Sequence, residues 1–150
     1  ILDFLYTPNC SGATSQALAG QPGSQENLQK VSCPATTLDR FCTQHELAPQ
    51  IIKCDVEGAE LIVIRGAEAT LAQHKPVILI ELLRKWARQF GYHPNEVVEL
   101  LGRHGYQAYT LSTEGLRYCP GIDEETRETN FVFLHEQKHR EIPGLVRSLP

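Results

Sequence analysis

The chain has 150 residues, 41% apolar and 21% charged, with a formal net charge of −4. That is the make-up of one soluble globular domain, able to bury roughly 70% of its unfolded surface. It gives no global electrostatic case for nucleic acid or an anionic membrane as partner, and no apolar run approaches the roughly 20 residues of a membrane span.

In chain order, Ile1 to Tyr6 reads as a short strand, and a polar loop rich in Gly, Ser and Gln runs from Pro8 to about Lys30. Val31 to Thr37 extends as a second strand. Leu38, Phe41, Cys42 and His45 follow helical spacing, with Thr36 or Thr37 available as cap, so a helix is expected from about Leu38 to Glu46. Ile51 to Val56 is a short apolar strand that Gly58 breaks. Leu61, Ile64, Ala67, Ala69 and Leu71 suit one helix from about Ala59 to Gln73, weakened by Gly66. Pro76 punctuates, and Val77 to Leu82 is the next strand. Two apolar strands separated by one helix form a βαβ signature, which implies a parallel sheet covered on both faces.

The pattern continues beyond Glu81. Pro94 starts a helix from about Asn95 to His104, with Val97, Val98, Leu100 and Leu101 as its apolar stripe and Gly105 at the C-cap. Tyr106 to Leu111 alternates as a strand, Gly121 to Thr129 is a charged turn, and Asn130 to His135 is a last strand. From Glu136 onward the sequence reads as a polar tail. Ligands of open parallel sheets bind outside the carboxyl ends of the strands. Asp55, Glu57 and Glu81 fall at such ends, where an acid reaches a ligand without being buried unpaired.

Cys10, Cys33, Cys42, Cys54 and Cys119 make an odd, widely spaced set without a CxxC pair, as in a reduced, cytoplasmic chain. Asn9-Cys10-Ser11 fits the glycosylation sequon, but no secretory signal accompanies it, and it reads as chance. The chain begins at Ile1 and contains no Met, so it is expected to be part of a longer protein.

The stretch KCDVEGAELIVIRGA, Lys53 to Ala67, closely resembles the signature of the FkbM-type methyltransferase family. ATTLDRF (Ala35 to Phe41), PVILIE (Pro76 to Glu81) and LLGRHGY (Leu100 to Tyr106) match further segments of that family in the same order. The resemblance covers about Thr36 to Leu134. It implies an α/β, Rossmann-like class I methyltransferase sheet, mostly parallel with an antiparallel last strand. It also implies S-adenosylmethionine as cofactor and a small-molecule or carbohydrate acceptor. Such enzymes hold the cofactor mainly through a glycine-rich turn after their first strand and an acid ending their second. No such turn precedes Asp55; Ser11-Gly12-Ala13 lacks the strand-turn-helix setting. Residues 1–135 are therefore expected to be the C-terminal part of a single domain whose N-terminal cofactor-binding half is missing, with 136–150 as tail. The strand at Ile51 would then expose an edge meant for the missing first strand.

Methyl transfer from a sulfonium is an in-line displacement, so alignment of the acceptor dominates, and an oxygen acceptor must also lose a proton. Asp55 is the first candidate to face the acceptor, and Glu57, in the same turn, the second. Glu81 and His93 are candidates for binding the acceptor. An alternative role for Asp55 and Glu81 is to share a metal, although no metal site is assigned. Each has a plainer reading. Glu57 and Glu60 suit capping of a helix N-terminus, Glu81 suits an ion pair with Arg84 or Lys85, and His93 suits a solvated loop. Gly58 permits the tight turn. Trp86 and Phe90 lie on one helix face, as core or as a lid over the substrate.

His135-Glu136-Gln137-Lys138-His139 matches the H-E-x-x-H pattern of zinc hydrolases. It follows a β-like run, and Pro143 limits any helix, so it reads as a chance match. Besides a methyltransferase, the sequence leaves open a non-catalytic relative that uses the fold for binding, and, more remotely, that zinc hydrolase.

Overall fold

A computed structural model describes residues 1–6, 14–16 and 29–140. The Ser11-Gly12-Ala13 loop, the sequon, most of the expected polar loop and residues 141–150 lie outside them. The chain divides into two compact units, Ile1–Thr36 and Thr37–Pro150. In the first, β1 (Leu2–Tyr6) is flanked by β2 (Thr14–Gln16) and β3 (Gln29–Cys33), both antiparallel to it. Ser32 donates to Asp3 at 2.6 Å, and Lys30 pairs with the same carboxylate at 2.7 Å. The expected strand at Val31–Thr37 thus lies two residues earlier and ends before Pro34.

The second unit opens with α1 (Leu38–Gln44), capped by Thr37, whose Oγ1 accepts from the Arg40 amide. Parallel strands β4 (Ile51–Cys54) and β5 (Val77–Glu81) follow, paired in register from Ile51–Val77 to Cys54–Ile80. The crossover is two helices rather than the single one expected: α2 (Glu60–Arg65) and α3 (Glu68–His74). The break has a physical cause. The start of α1 packs into the gap, where the Asp39 amide donates to the Gly66 carbonyl at 3.0 Å. A Cβ on Gly66 would meet Thr37 at 3.3 Å. No side chain of its own caps α3; the Asp39 carboxylate does so from α1, accepting from the amides of Ala69 (3.0 Å) and Thr70 (2.7 Å). Thr37 and Asp39 thus interlock with the Arg65-Gly66-Ala67 break.

After β5 come a short α4 (Arg84–Ala87), a 3-10 turn over Arg88–Phe90, and α5 (Asn95–Arg103). Val97, Leu100 and Leu101 are buried as the stripe requires, Val98 is half-buried, and Gly105 follows the helix with φ +79°. β6 (Tyr106–Ser112) turns tightly into β7 (Gly115–Tyr118), a hairpin strand absent from the sequence reading, before β8 (Asn130–His135).

The sheet order is β4-β5-β8-β6-β7. β8 inserts between β5 and β6, antiparallel to both. The last strand is antiparallel, as expected, and the sheet is mixed: like-directed strands β5 and β6 are separated, and among the described residues only β4–β5 is a parallel ladder. The main core lies on one face, where Ile78, Ile80, Phe131 and Phe133 meet Leu61, Ile64, Leu71, Val97 and Leu101. The other face carries only a small cluster of Tyr109, Leu116, Val132 and Leu134, with Val77 against it. Leu79 stays 39% exposed, so the expected cover on both faces is not found among the described residues. Residues 136–140, expected to begin a loose tail, form a turn in which His139 is buried and Lys138 Nζ donates to the His74 carbonyl at 2.7 Å.

Burial pushes the Asp39 carboxyl up, but the hydrogen bonds from Thr70 and Ala69 outweigh it and leave it below its ordinary value of 3.8. A carboxyl depressed in the folded state stabilises above its ordinary value, and that gain is lost as pH falls through the folded one. Asp39→Ala is expected to cost about 1 kcal/mol at pH 7, the worth of a helix cap. Urea midpoints across pH test this: the gap to the parent chain should narrow below about pH 4. A gap that stays constant would show that the carboxylate's charge plays no part.

Candidate functional site

The carboxyl ends of β4 and β5 lie side by side, so the residues that follow Cys54 and Ile80 are neighbours. Asp55, Glu57 and Glu81 each bring a carboxylate oxygen to within 4.8 Å of the others. The structure thus gathers three of the four residues singled out for acceptor chemistry. Asp55 is exposed, whereas Glu57 and Glu81 are half-buried. Asp55 also pairs with Lys53 at 2.6 Å, with both side chains largely in solvent, where such a pair contributes little. The spacing would let a divalent cation take one oxygen from each acid.

The turn that holds Asp55 and Glu57 is tightly constrained. Glu57 has φ +52°, a left-handed conformation that costs a non-glycine residue energy. Gly58 has φ +106°, and a Cβ there would lie 2.7 Å from the Trp86 carbonyl and 2.8 Å from the Phe90 ring. Glycine is thus required twice, by conformation and by the approach of the segment after β5. Trp86 and Phe90 close against this turn.

Glu60 latches the turn. Only 3% exposed, it accepts from the amides of Gly58 (3.0 Å) and Val56 (3.3 Å) through Oε1 and from the Tyr92 hydroxyl (3.0 Å) through Oε2. The capping reading of Glu60 was close to this, but its partners lie ahead of the helix and on Tyr92. Burial, and then Glu60, pushes the Tyr92 phenol well above its ordinary range. Burial, then Glu60 and Asp55, pushes the Cys54 thiol up to about 12.

Glu81 answers to its surroundings in the same sense. Burial and then the neighbouring Asp55 and Glu57 carboxylates raise it, against a long 3.5 Å hydrogen bond from Thr129 Oγ1. No ion pair joins it to Arg84 or Lys85 among the described residues. Thr129, which the sequence reading passed over, is placed here because the Leu82 amide donates to its carbonyl at 2.7 Å. Its only sequence signal is its position just before the strand that pairs with β5. Tyr92 was missed as well; a lone phenol between two turn signals gives little warning of a buried acid partner.

His93 lies outside the carboxylate cluster. It is exposed at the start of α5, where its Nδ1 accepts from the Asn95 amide at 3.2 Å and its own amide donates to Glu96. His135 and His139 do not form a ligand pair. His139 Nδ1 accepts from the His135 amide, and His135 Nδ1 accepts from the amides of Gln137 and Lys138. Burial, then nearby lysines, holds both imidazoles below their ordinary range. A neutral ring accepting at Nδ1 carries its proton on Nε2 and has no lone pair left for zinc.

The family model described as the methyltransferase FkbM domain matches residues 3–108, which take in the turn after β4, the strand that ends at Glu81 and all of α5. No curated protein and no solved structure matches the chain.

The crowding of Glu81 has a measurable consequence. A carboxyl raised in the folded state lets the fold keep its full stability below the ordinary value of 4.5, and stability is lost as pH rises through the raised one. Glu81→Gln should therefore melt higher than the parent at pH 7 to 8, and the two should converge near pH 4. Equal melting temperatures throughout would show that neither burial nor the neighbouring acids disfavour the Glu81 charge. Separately, Glu60→Ala strands two backbone amides and a half-buried phenol, and should cost about 2 to 3 kcal/mol by urea denaturation.

Proposed function

We propose, for a chain that belongs to the FkbM methyltransferase family, that it carries the acceptor side of an S-adenosylmethionine-dependent enzyme that methylates an oxygen of a small molecule or sugar. The observation that carries this reading is the meeting of Asp55, Glu57 and Glu81 at the ends of two adjacent parallel strands. A ligand laid across those ends touches all three without entering the core.

S-adenosylmethionine, when bound, supplies an electrophilic methyl group on a sulfonium. The fit can be tested from the acceptor side. Three clustered carboxylates suit a neighbouring positive charge. Apart from the turn after Cys54, no strand-to-helix turn among the described residues carries glycine, so no residue is assigned to the adenosine.

The chain's own residues have three tasks. Asp55, the most exposed acid, receives the acceptor hydroxyl and orients or takes its proton. Glu57, held by its left-handed backbone in the same turn, fixes the acceptor from the other side. Glu81, whose affinity for protons is raised, hydrogen-bonds the acceptor in its neutral or charged form. His93 is assigned to the outer rim of the acceptor site. Trp86 and Phe90 exclude water behind Gly58. The cysteines among the described residues are free, which suits a reducing, cytoplasmic setting.

Asp55→Asn tests the reading. The change is nearly isosteric and removes an exposed ion pair and a like charge beside Glu81, so the fold should persist. Turnover of S-adenosylmethionine by the natural protein should drop about 100-fold or more, the worth of a positioned base. Unchanged turnover would remove Asp55 from the reaction. Calorimetric titration of the natural protein with S-adenosylmethionine that gave no heat would sink the reading as a whole.

A further inference from the structure

Beside the carboxylate cluster lies a cavity of about 520 Å³ with the opposite charge. Leu82 and Thr129, the pair whose backbone hydrogen bond joins the end of β5 to the start of β8, are among its lining residues. Thr129 is also the residue that donates to Glu81, so cavity and cluster share a wall. The size is that of an ordinary small-molecule site.

Arg84, Lys85, Arg88 and Arg127 line the cavity, against two acids, Glu124 and Glu128. Glu128 is already engaged, by Arg117 at 2.6 Å. None of the four cations takes part in an ion pair among the described residues. Lys85 lies over the Trp86 ring at 4.8 Å, an arrangement that leaves its charge unneutralised. Arg84 is the strongest indication. It is half-buried, and its Nη1 is out of solvent with no hydrogen-bond partner. Asp123 feels Arg84 electrostatically and offsets part of its charge, but its Oδ1 accepts from the amides of Glu125 and Thr126 and from the Thr126 hydroxyl, and no ion pair joins it to Arg84 among the described residues. A buried guanidinium nitrogen without an acceptor is costly, and a rotation of the Arg84 head that brought it to the cavity would let an anion bound there accept from it. The chain as a whole is negative, so this concentration of positive charge is local.

We infer that this cavity binds an anionic group, phosphate or carboxylate, carried by the methyl acceptor itself. That assignment rests on the methyl-transfer reading for the word acceptor, and on the cavity alone for the anion. The two adjoining charges then orient the molecule. Its anionic end is drawn to Arg84 and Arg127 and repelled by Asp55, Glu57 and Glu81, which leaves the hydroxyl end at the carboxylates. A neutral sugar would gain nothing from four cations.

The test needs neither cofactor nor turnover. The 15N-labelled chain is titrated with inorganic phosphate and, separately, with acetate at constant ionic strength, and amide shifts are followed over residues 82–88 and 126–129. Saturable shifts are expected there, with affinity about tenfold lower in Arg84→Gln, the loss of one charge-assisted hydrogen bond. Arg127→Gln, at an exposed position, should weaken binding as well and guards against misfolding of the first variant. Arg103→Gln, on the last turn of α5, should change nothing. Preference for phosphate would identify a phosphorylated acceptor, and preference for acetate an acidic one. Shifts that never saturate, or that persist in both variants, or that vanish equally in Arg103→Gln, would overturn the inference. Anion binding without methyl transfer would leave the cavity standing and remove the methyltransferase reading; methyl transfer without anion binding would do the reverse.

Discussion

A single buried carboxylate sets the geometry on which the candidate site depends. Glu60 stands at the start of α2 and holds the preceding turn by two of its amides and a tyrosine hydroxyl beyond β5. Burying a carboxylate is unfavourable unless each oxygen is satisfied, and here both are. Because Tyr92 lies on the segment that follows α4, the same side chain ties the loop after β4 to the loop after β5. Asp55 and Glu57 face Glu81 for that reason: the two loops that bear them are fixed to each other rather than merely adjacent.

The requirement for glycine at position 58 belongs to the same construction. Tyr92 and Phe90 lie two residues apart, one bound to Glu60 and the other against Gly58. Any side chain at 58 would push the segment away and stretch the Tyr92 bond. The interlock of Thr37 and Asp39 with Gly66 is a second example of one backbone filling the space another leaves. In both places short sequence signatures that are distant along the chain turn out to be two halves of one contact.

That helps to explain what was legible in the sequence. Strands with continuous apolar runs, such as Val77–Glu81 and Asn130–His135, were placed within a residue, because burial dictates their composition. The acids at the ends of β4 and β5 were legible for the same reason, since a charge after an apolar run marks where the chain leaves the core. The break at Gly66 was not, because its cause is α1, far away in sequence. β7 was not, because it is four residues long and buries only Leu116. The edge position of β4 and the antiparallel direction of β8 were expected from the resemblance, but the place of β8 in the interior of the sheet was not, because periodicity describes a strand and not its neighbours. The basic cavity was hidden most deeply, since its cations come from two segments about 40 residues apart, each of which reads alone as solvated charge.

Cys54 ends β4 with a sulfur that is almost wholly enclosed and a thiol pushed up to about 12, directly before Asp55. In that state it offers alkylating reagents neither thiolate nor access. It becomes reactive only in molecules whose turn has opened. The rate at which the folded protein takes up iodoacetamide at this sulfur is therefore a clock for the opening of the site, built into the chain at the residue next to its chemistry.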